Sequence, residues 1–431
     1  MTAAAVLLGT ALAAPLLIPS SAWRARAEAE ASQRLGAQVR IATLHVALLP
    51  LPHAVVRSLS VADGAVVVDR IAVYPQLLSL LSATPVLRRI ELDQVRVTSK
   101  GLELLQGIAS KPSGAAAVTL ENLRARQVQV ELASGWLPAF DADVEMSANA
   151  GLAVQTARIS TQDGKAKLLF EPETAGWKLT LDAHNWQMPL GPPLRFERLQ
   201  VSGRTTGEKL DVGNLSATLY GGSAQGRVAV TWQKGWRISG DIRTQSIDIM
   251  TLTQSLKIKA ALSGKLDASG PFRAQSAKPE GLGDAMQAEI AFDVRDGILR
   301  GFDLASAGQS LLKGGAAGGS TQFDQLTGLV RLQGRAVKLQ NLRVSSGVLK
   351  AQGNVDISPA RQLAGRIDTE VKGTGGLVGV PLAVSGTLHA PVLLPTKGSV
   401  AGAVVGSVLL PGVGTSIGAT MGDKIGKMFG K

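Results

Sequence analysis

Four histidines, His45, His53, His184 and His389, are the side chains best suited to metal binding or proton transfer near neutral pH. Their spacing serves neither purpose. No HxxxH, HxH or HExxH arrangement brings two of them onto one face of a helix or strand, so no metal site is expected. Cysteine is absent, which removes disulfides, thiolate nucleophiles and Cys-ligated zinc. It leaves the compartment open, because a large core can do without disulfides outside the cytosol. The chain has no GxSxG, no GxxxxGK followed by Ser or Thr, and no GxGxxG after a strand; Gly314–Ser320, GGAAGGS, reads as a loop. Asp63, Asp69, Asp93 and Asp163 fall at turns or strand exteriors, and no spacing favours a paired-carboxylate hydrolase. The expectation is a non-enzymatic protein without a cofactor.

The elements that carry these residues are mostly strands. From Ile71 to Thr396 apolar residues alternate rather than recur at helical spacing: RIELDQVRVT at Arg89–Thr98 sets Ile90, Leu92, Val95 and Val97 among charges, and Leu120–Leu132 ends Val128, Val130, Leu132. Val201, Leu210–Val212, Arg227–Trp232, Leu262–Leu266, Ile290–Val294, Leu326–Leu332, Val337–Val344, Leu349–Ile357 and Leu363–Val371 continue the style between glycine-containing turns. Helical candidates are short: Arg24–Leu35, Pro75–Leu81, Glu103–Ala109 and Leu304–Leu312. Asn214–Val230 (NLSATLYGGSAQGRVAV) lies over Asn341–Ile357 (NLRVSSGVLKAQGNVDI) without gaps, sharing Asn-Leu, Ala-Gln-Gly and one Val. The repeated unit reads as a hairpin, and repeated hairpins favour an elongated or coiled sheet.

Composition adds a constraint. Among 431 residues there are 49 glycines but only 8 Phe, 6 Trp and 2 Tyr, and mean hydropathy is +0.16. That hydropathy excludes wholesale disorder. Alternating strands bury one face, yet few amphipathic helices are present to cover it and few aromatics to fill a wide interior. Two sheets could pack together, or one could curl into a trough whose Ala-, Val- and Leu-lined inside holds something else. The net charge of +12 is dispersed along strands without a dense basic block or stacking platform, so no nucleic-acid partner is expected.

The ends differ from the middle. Thr2–Trp23 carries no charge over a length that, at ~1.5 Å per residue, reaches across a ~30 Å hydrocarbon core. It reads as a membrane anchor, with a cleaved signal or a buried helix as alternatives; Arg24 and Arg26 follow it and no Lys or Arg precedes it. At the other end Gly398, Gly402 and Gly406, then Gly414, Gly418, Gly422 and Gly426, fall at spacing four on either side of Leu410–Pro411–Gly412. Spacing four stacks glycines on one helical face, so the segment reads as a helix-packing hairpin or, alternatively, as a flexible tail.

Particular stretches resemble the AsmA family of Gram-negative envelope proteins. VRIATLHVALLPLPHAVVRSLSVADG and IAVYPQLLSLLSATPVLRRIELDQVRV, within Gln38–Thr98, follow that family's opening pattern of strand, Pro-containing turn, strand, short helix and a strand with Leu-Asp-x-Val-x-Val. Ile290–Leu312 and Thr321–Ile357 are similar to its C-terminal region, whereas Gly101–Lys278 matches in style more than in motif. The resemblance implies an inner-membrane protein with its body in the periplasm, built as a curved antiparallel β-groove that carries phospholipid between inner and outer membranes. It also implies outer-membrane or periplasmic proteins as further partners, with support of outer-membrane protein assembly as the alternative role. The expected organisation is anchor 1–23, N-terminal region 24–100, central β-repeats 101–285, C-terminal β-region 286–397 and glycine-ladder hairpin 398–431. Ile90, Leu92, Val128, Val130, Val228, Val230, Val330, Leu332, Val355 and Ile357 are the expected groove-lining residues.

Overall fold

The computed structural model describes residues 20–47, 51–81, 85–109, 119–132, 135–147, 153–189, 191–257, 261–301, 303–304, 319–373, 376–388 and 390–396. The glycine ladder from Gly398 to Gly426 lies outside them, as does the expected anchor apart from its last residues, Ser20–Trp23, which begin a helix. No described helix is long and apolar enough to cross a membrane. The chain is mainly β and divides into two compact units, Met1–Pro189 and Leu190–Lys431, a boundary that falls inside the expected 101–285 region.

The first unit opens on helix α1 (Ser20–Leu35), followed by β1 (Val39–Ala47), β2 (His53–Val61), β3 (Val66–Pro75), a 3-10 turn at Leu77–Leu81, β4 (Val86–Val97) and helix α2 (Ser99–Ala109). Then come β5 (Thr119–Leu132), β6 (Gly135–Trp136), β7 (Phe140–Met146), β8 (Val154–Thr161), β9 (Ala166–Glu173) and β10 (Gly176–Gln187). β1 to β4 form a meander in which Ile41, Leu59, Val68 and Val95 occupy one cross-strand row. The fully antiparallel sheet expected from the sequence is corrected at the next step, because β4 and β5 are parallel. A parallel neighbour requires a crossover rather than a hairpin, and α2 lies within it. Antiparallel pairing resumes from β5 through β7, β8, β9 and β10.

Helix α1 covers the start of this sheet in two ways. Its Ala27, Ala31 and Leu35 pack with Val39, Ile41, Val56 and Val61, while Leu102 and Leu104 of α2 join the same cluster. Its polar side chains also accept from backbone donors of β1: Val39 N–H to Ser32 Oγ at 2.9 Å and Ile41 N–H to Glu28 Oε1 at 2.7 Å. Those donors are two residues apart and leave the strand on the same side, so the helix satisfies a sheet edge that would otherwise be a pairing template.

The second unit contains β11 (Arg195–Thr205), β12 (Lys209–Leu219), β13 (Gly222–Thr231), β14 (Trp236–Asp248), helix α3 (Ile249–Ser255), β15 (Leu262–Ser276), β16 (Gln287–Arg300) and β17 (Ser320–Gln333). It closes with β18 (Ala336–Ser345), β19 (Leu349–Ile357), β20 (Leu363–Gly373), β21 (Gly376–Thr387) and β22 (Ala390–Pro395). Each strand from β12 to β22 is antiparallel to the one before it. The internal repeat is exact in register: Leu215 faces Gly226 and Leu342 faces Gly353, pairs separated by the same offset. Both follow a bulge that contains the shared Asn, between Val212 and Leu215 in one copy and between Leu339 and Leu342 in the other.

Bulges recur with a common support. Gln127, Ser246 and Asn341 have positive φ, and their N–H groups donate to Asp141, Asp267 and Asn354 on neighbouring strands at 2.9, 2.6 and 2.8 Å. A short polar side chain thereby replaces the carbonyl that the bulge withdraws from the ladder. Glycine, expected at turns and kinks, also lies opposite the scarce aromatics: Phe272 faces Gly240 and Phe292 faces Gly328. A Cβ at Gly240 would collide with the Arg227 carbonyl and lie 2.8 Å from the Phe272 ring. The ring covers backbone that a glycine leaves bare, and the strands approach more closely than any side chain would allow.

Candidate functional site

Because side chains alternate, a row of cross-strand partners shares one face of a sheet. In the second unit Val212, Val228, Gly240, Phe272, Ala288, Leu332, Val337, Ile357 and Leu363 form one such row from β12 to β20. The adjacent row runs Ile290, Val330, Leu339, Val355, Gly365, Val384 and Leu393 from β16 to β22. Val230 belongs to a third row with Leu210, Ile238 and Ala274. All six expected groove residues of this unit, Val228, Val230, Val330, Leu332, Val355 and Ile357, therefore lie on a single apolar face. The other parity carries ion pairs: Arg227 with Asp241 at 3.0 Å, Arg331 with Glu289 at 3.1 Å, and Arg295 with Asp267.

Burial along the apolar face is uneven. At the end where β16 leaves and β17 enters, Val294, Phe323, Leu349 and Leu382 are at most 2% exposed and form one cluster with Ile249 of α3 and Leu304. Toward the opposite end Val228, Val230, Ile238, Phe272, Ile290, Val330 and Leu332 are only half-buried. A face covered by a second sheet would be buried along its length. An apolar face only partly buried over several strands leaves room for another apolar surface to cover it.

The first unit has the same division on a smaller scale. Ile90 lies beside Leu123 and Leu92 beside Ala125 across the parallel β4–β5 pair, while Val128 faces Phe140. Ile90 is buried in a cluster with Val73, Leu87 and Leu120; Leu92, Val128 and Val130 pack in the cluster under α1 and α2. Beyond the helices, Ala142, Ile159, Leu168 and Leu181 form a half-buried apolar row across β7 to β10.

Polar groups in the structure hold turns, caps and strand pairs. Asp143 accepts from both terminal nitrogens of Arg126 at 3.0 Å, and that hydrogen bonding raises the guanidinium above its ordinary pKa. His53 stacks on Tyr74 at 4.8 Å, with Arg89 on the same ring at 4.7 Å, and its Nδ1 lies 2.8 Å from the Leu51 carbonyl. Asp248 caps α3 by accepting from Thr251 N–H at 2.8 Å, the main cause of a pKa below the ordinary carboxylate value, and also holds Lys265 at 3.2 Å. Asp163, at the β8–β9 turn, is lowered to about 2 by its hydrogen bonds to Lys165 and Thr161. Among the described residues no three His, Asp or Glu side chains are grouped to hold a metal ion.

Sequence reading found apolar runs on eleven strands but passed over β14, where Trp236, Ile238, Gly240 and Ile242 alternate just as strictly, and left Phe272 and Ile290 out of the groove-lining residues. It also missed α3, a seven-residue helix whose signal is the Asp248–Thr251 cap rather than an apolar stripe. Comparison with known protein families, with curated proteins and with solved structures gives no match to this chain.

Proposed function

We propose that this chain is a non-enzymatic envelope protein whose half-buried apolar face is the inside of a curved β-groove that binds or conducts phospholipid. The observation that carries the reading is the continuous row from Val212 to Leu363, apolar or glycine at every step, lying back to back with a row of ion-paired Arg, Asp and Glu. Acyl chains laid on it would bury apolar area at ~25 cal/mol per Å² without demanding any directional contact. Bulges at Ser246, Asp296 and Asn341, each with positive φ, together with mid-strand glycines, supply the bending such a groove needs. The AsmA resemblance supports the same direction: an inner-membrane protein with its body in the periplasm, passing lipid between inner and outer membranes. On this reading the uncharged Thr2–Trp23 segment anchors the chain.

The alternative, pairing of outer-membrane proteins onto an exposed sheet edge, is weaker at β22. Pro391 and Pro395 stand at alternate positions of this strand and remove two of its outward backbone donors. The test is lipid analysis of the purified full chain beside a Val230→Asp, Leu332→Asp variant. Wild type should retain phospholipid by native mass spectrometry and the variant should lose most of it. Equal lipid content in the two overturns the reading.

A further inference from the structure

The hairpin between β13 and β14 ends in Trp232-Gln233-Lys234-Gly235-Trp236, at the end of the second unit where the apolar face is least buried. The two indoles meet at 5.9 Å between ring centroids, and Trp232 Nε1–H donates to the Gly207 carbonyl at 2.9 Å, which fixes that ring against the neighbouring β11–β12 turn. Both rings are half-buried, and by strand parity they continue the apolar face.

On the other side of the same turn is a bay of 360 Å³ whose lining includes Lys209, Lys234, Arg237, Glu208 and Trp236. Its three cations are exposed. Its acid, Glu208, accepts from Gln233 Nε2 at 2.6 Å, and Arg237 donates to the neutral Gln275 at 3.3 Å. Among the described residues no ion pair neutralises Lys209, Lys234 or Arg237, unlike Arg227, Arg331 and Arg335, which hold Asp241, Glu289 and Asp284.

We infer that this rim is a docking surface for an anionic phospholipid bilayer. The chemistry is that of a membrane interface: an amphipathic aromatic pair at headgroup depth, flanked by three cations against one acid, a positive excess that meets lipid phosphates. The rim would thus set the open end of the apolar face against the bilayer. The inference goes beyond lipid binding by that face and does not depend on it, since a docked rim and an empty face are separately measurable.

The chain has no cysteine, so Gln233→Cys and Val348→Cys each create a single labelling site. Val348 is 59% exposed in the β18–β19 turn, at the opposite end of the same sheet. With an environment-sensitive fluorophore on the full chain, the label at position 233 should brighten and shift to the blue on adding phosphatidylcholine–phosphatidylglycerol vesicles. It should respond weakly to phosphatidylcholine alone, and the label at 348 should stay silent. Lys209→Gln and Lys234→Gln should each weaken association about fivefold, and Trp232→Ser with Trp236→Ser should abolish the blue shift at 233. No response at 233, or equal responses at 233 and 348, overturns the inference.

Discussion

The hairpins β12–β13 and β18–β19 share a sequence pattern and a register, yet the apolar face of the returning strand β13 is closed off less completely than that of β19. Ala224 and Ala351 are equally buried, at 7% and 5% exposed. The next equivalent apolar pair diverges: Val228 is half-buried, whereas Val355 is 7% exposed and packs in the cluster that contains Leu349, Val371 and Leu382. Local sequence specifies the hairpin, and the neighbours decide whether its apolar face is covered. β20 to β22, α3 and Leu304 surround the second copy. Around the first, α3 reaches only the turn, where the Tyr220 hydroxyl donates to Ser255 Oγ at 2.8 Å, while Val228 and Val230 further along β13 stay half-buried.

The sharpest way to strain that comparison is at its glycines. A Cβ at Gly353 would run into the Arg366 carbonyl and lie 2.8 Å from Ile367 Cα; at Gly226 the nearest atoms are Asp241 O at 2.5 Å and Ile242 Cα at 3.4 Å. Gly353→Val should cost about 3 kcal/mol or more and Gly226→Val less, read from urea midpoints. Next comes burial itself. Val355→Asp should destabilise by about 3 kcal/mol, because a charge is forced into the cluster, whereas Val228→Asp should cost under ~1 kcal/mol. Equal losses at the two positions would erase the distinction between core and open face.

Asp248 links the closed end to pH. Its pKa is depressed in the folded chain, so its stabilisation is complete above the ordinary carboxylate range near ~4 and fades as pH falls through the lower folded value. Asp248→Ala should therefore cost about 1 kcal/mol at pH 7, and the two proteins should converge in acid denaturation. The smallest contrast lies at the bulges. Asn354→Ala leaves the Asn341 N–H without its side-chain acceptor and should cost about 1 kcal/mol, while the equivalent Arg227→Ala loses only an exposed pair with Asp241 and should cost under ~0.5 kcal/mol.

Strand periodicity made much of this fold legible. RIELDQVRVT supplies most of β4, with Ile90, Val95 and Val97 buried, and the repeat predicted a hairpin whose two copies do share their register. Alternation also sufficed to put Val228, Val230, Val330, Leu332, Val355 and Ile357 on one face, because each intervening bulge inserts a residue without reversing that face. Other features had no local signal. The parallel β4–β5 step depends on where α2 delivers the chain, and the bulges depend on Asp141, Asp267 and Asn354 arriving from a neighbouring strand. Nor could spacing show that Phe272 and Phe292 lie across from Gly240 and Gly328, since that pairing is a property of register.

The central claim is that one face of the second unit's sheet meets lipid and the other meets water. Leu332 and Arg331 are adjacent in β17 and point to opposite sides, the first half-buried in the apolar row and the second paired with Glu289. A photocrosslinking residue at each position, activated in cells, tests the claim most directly. Capture of phospholipid at 332 and not at 331 is the predicted result; capture at neither position, or equally at both, would contradict it.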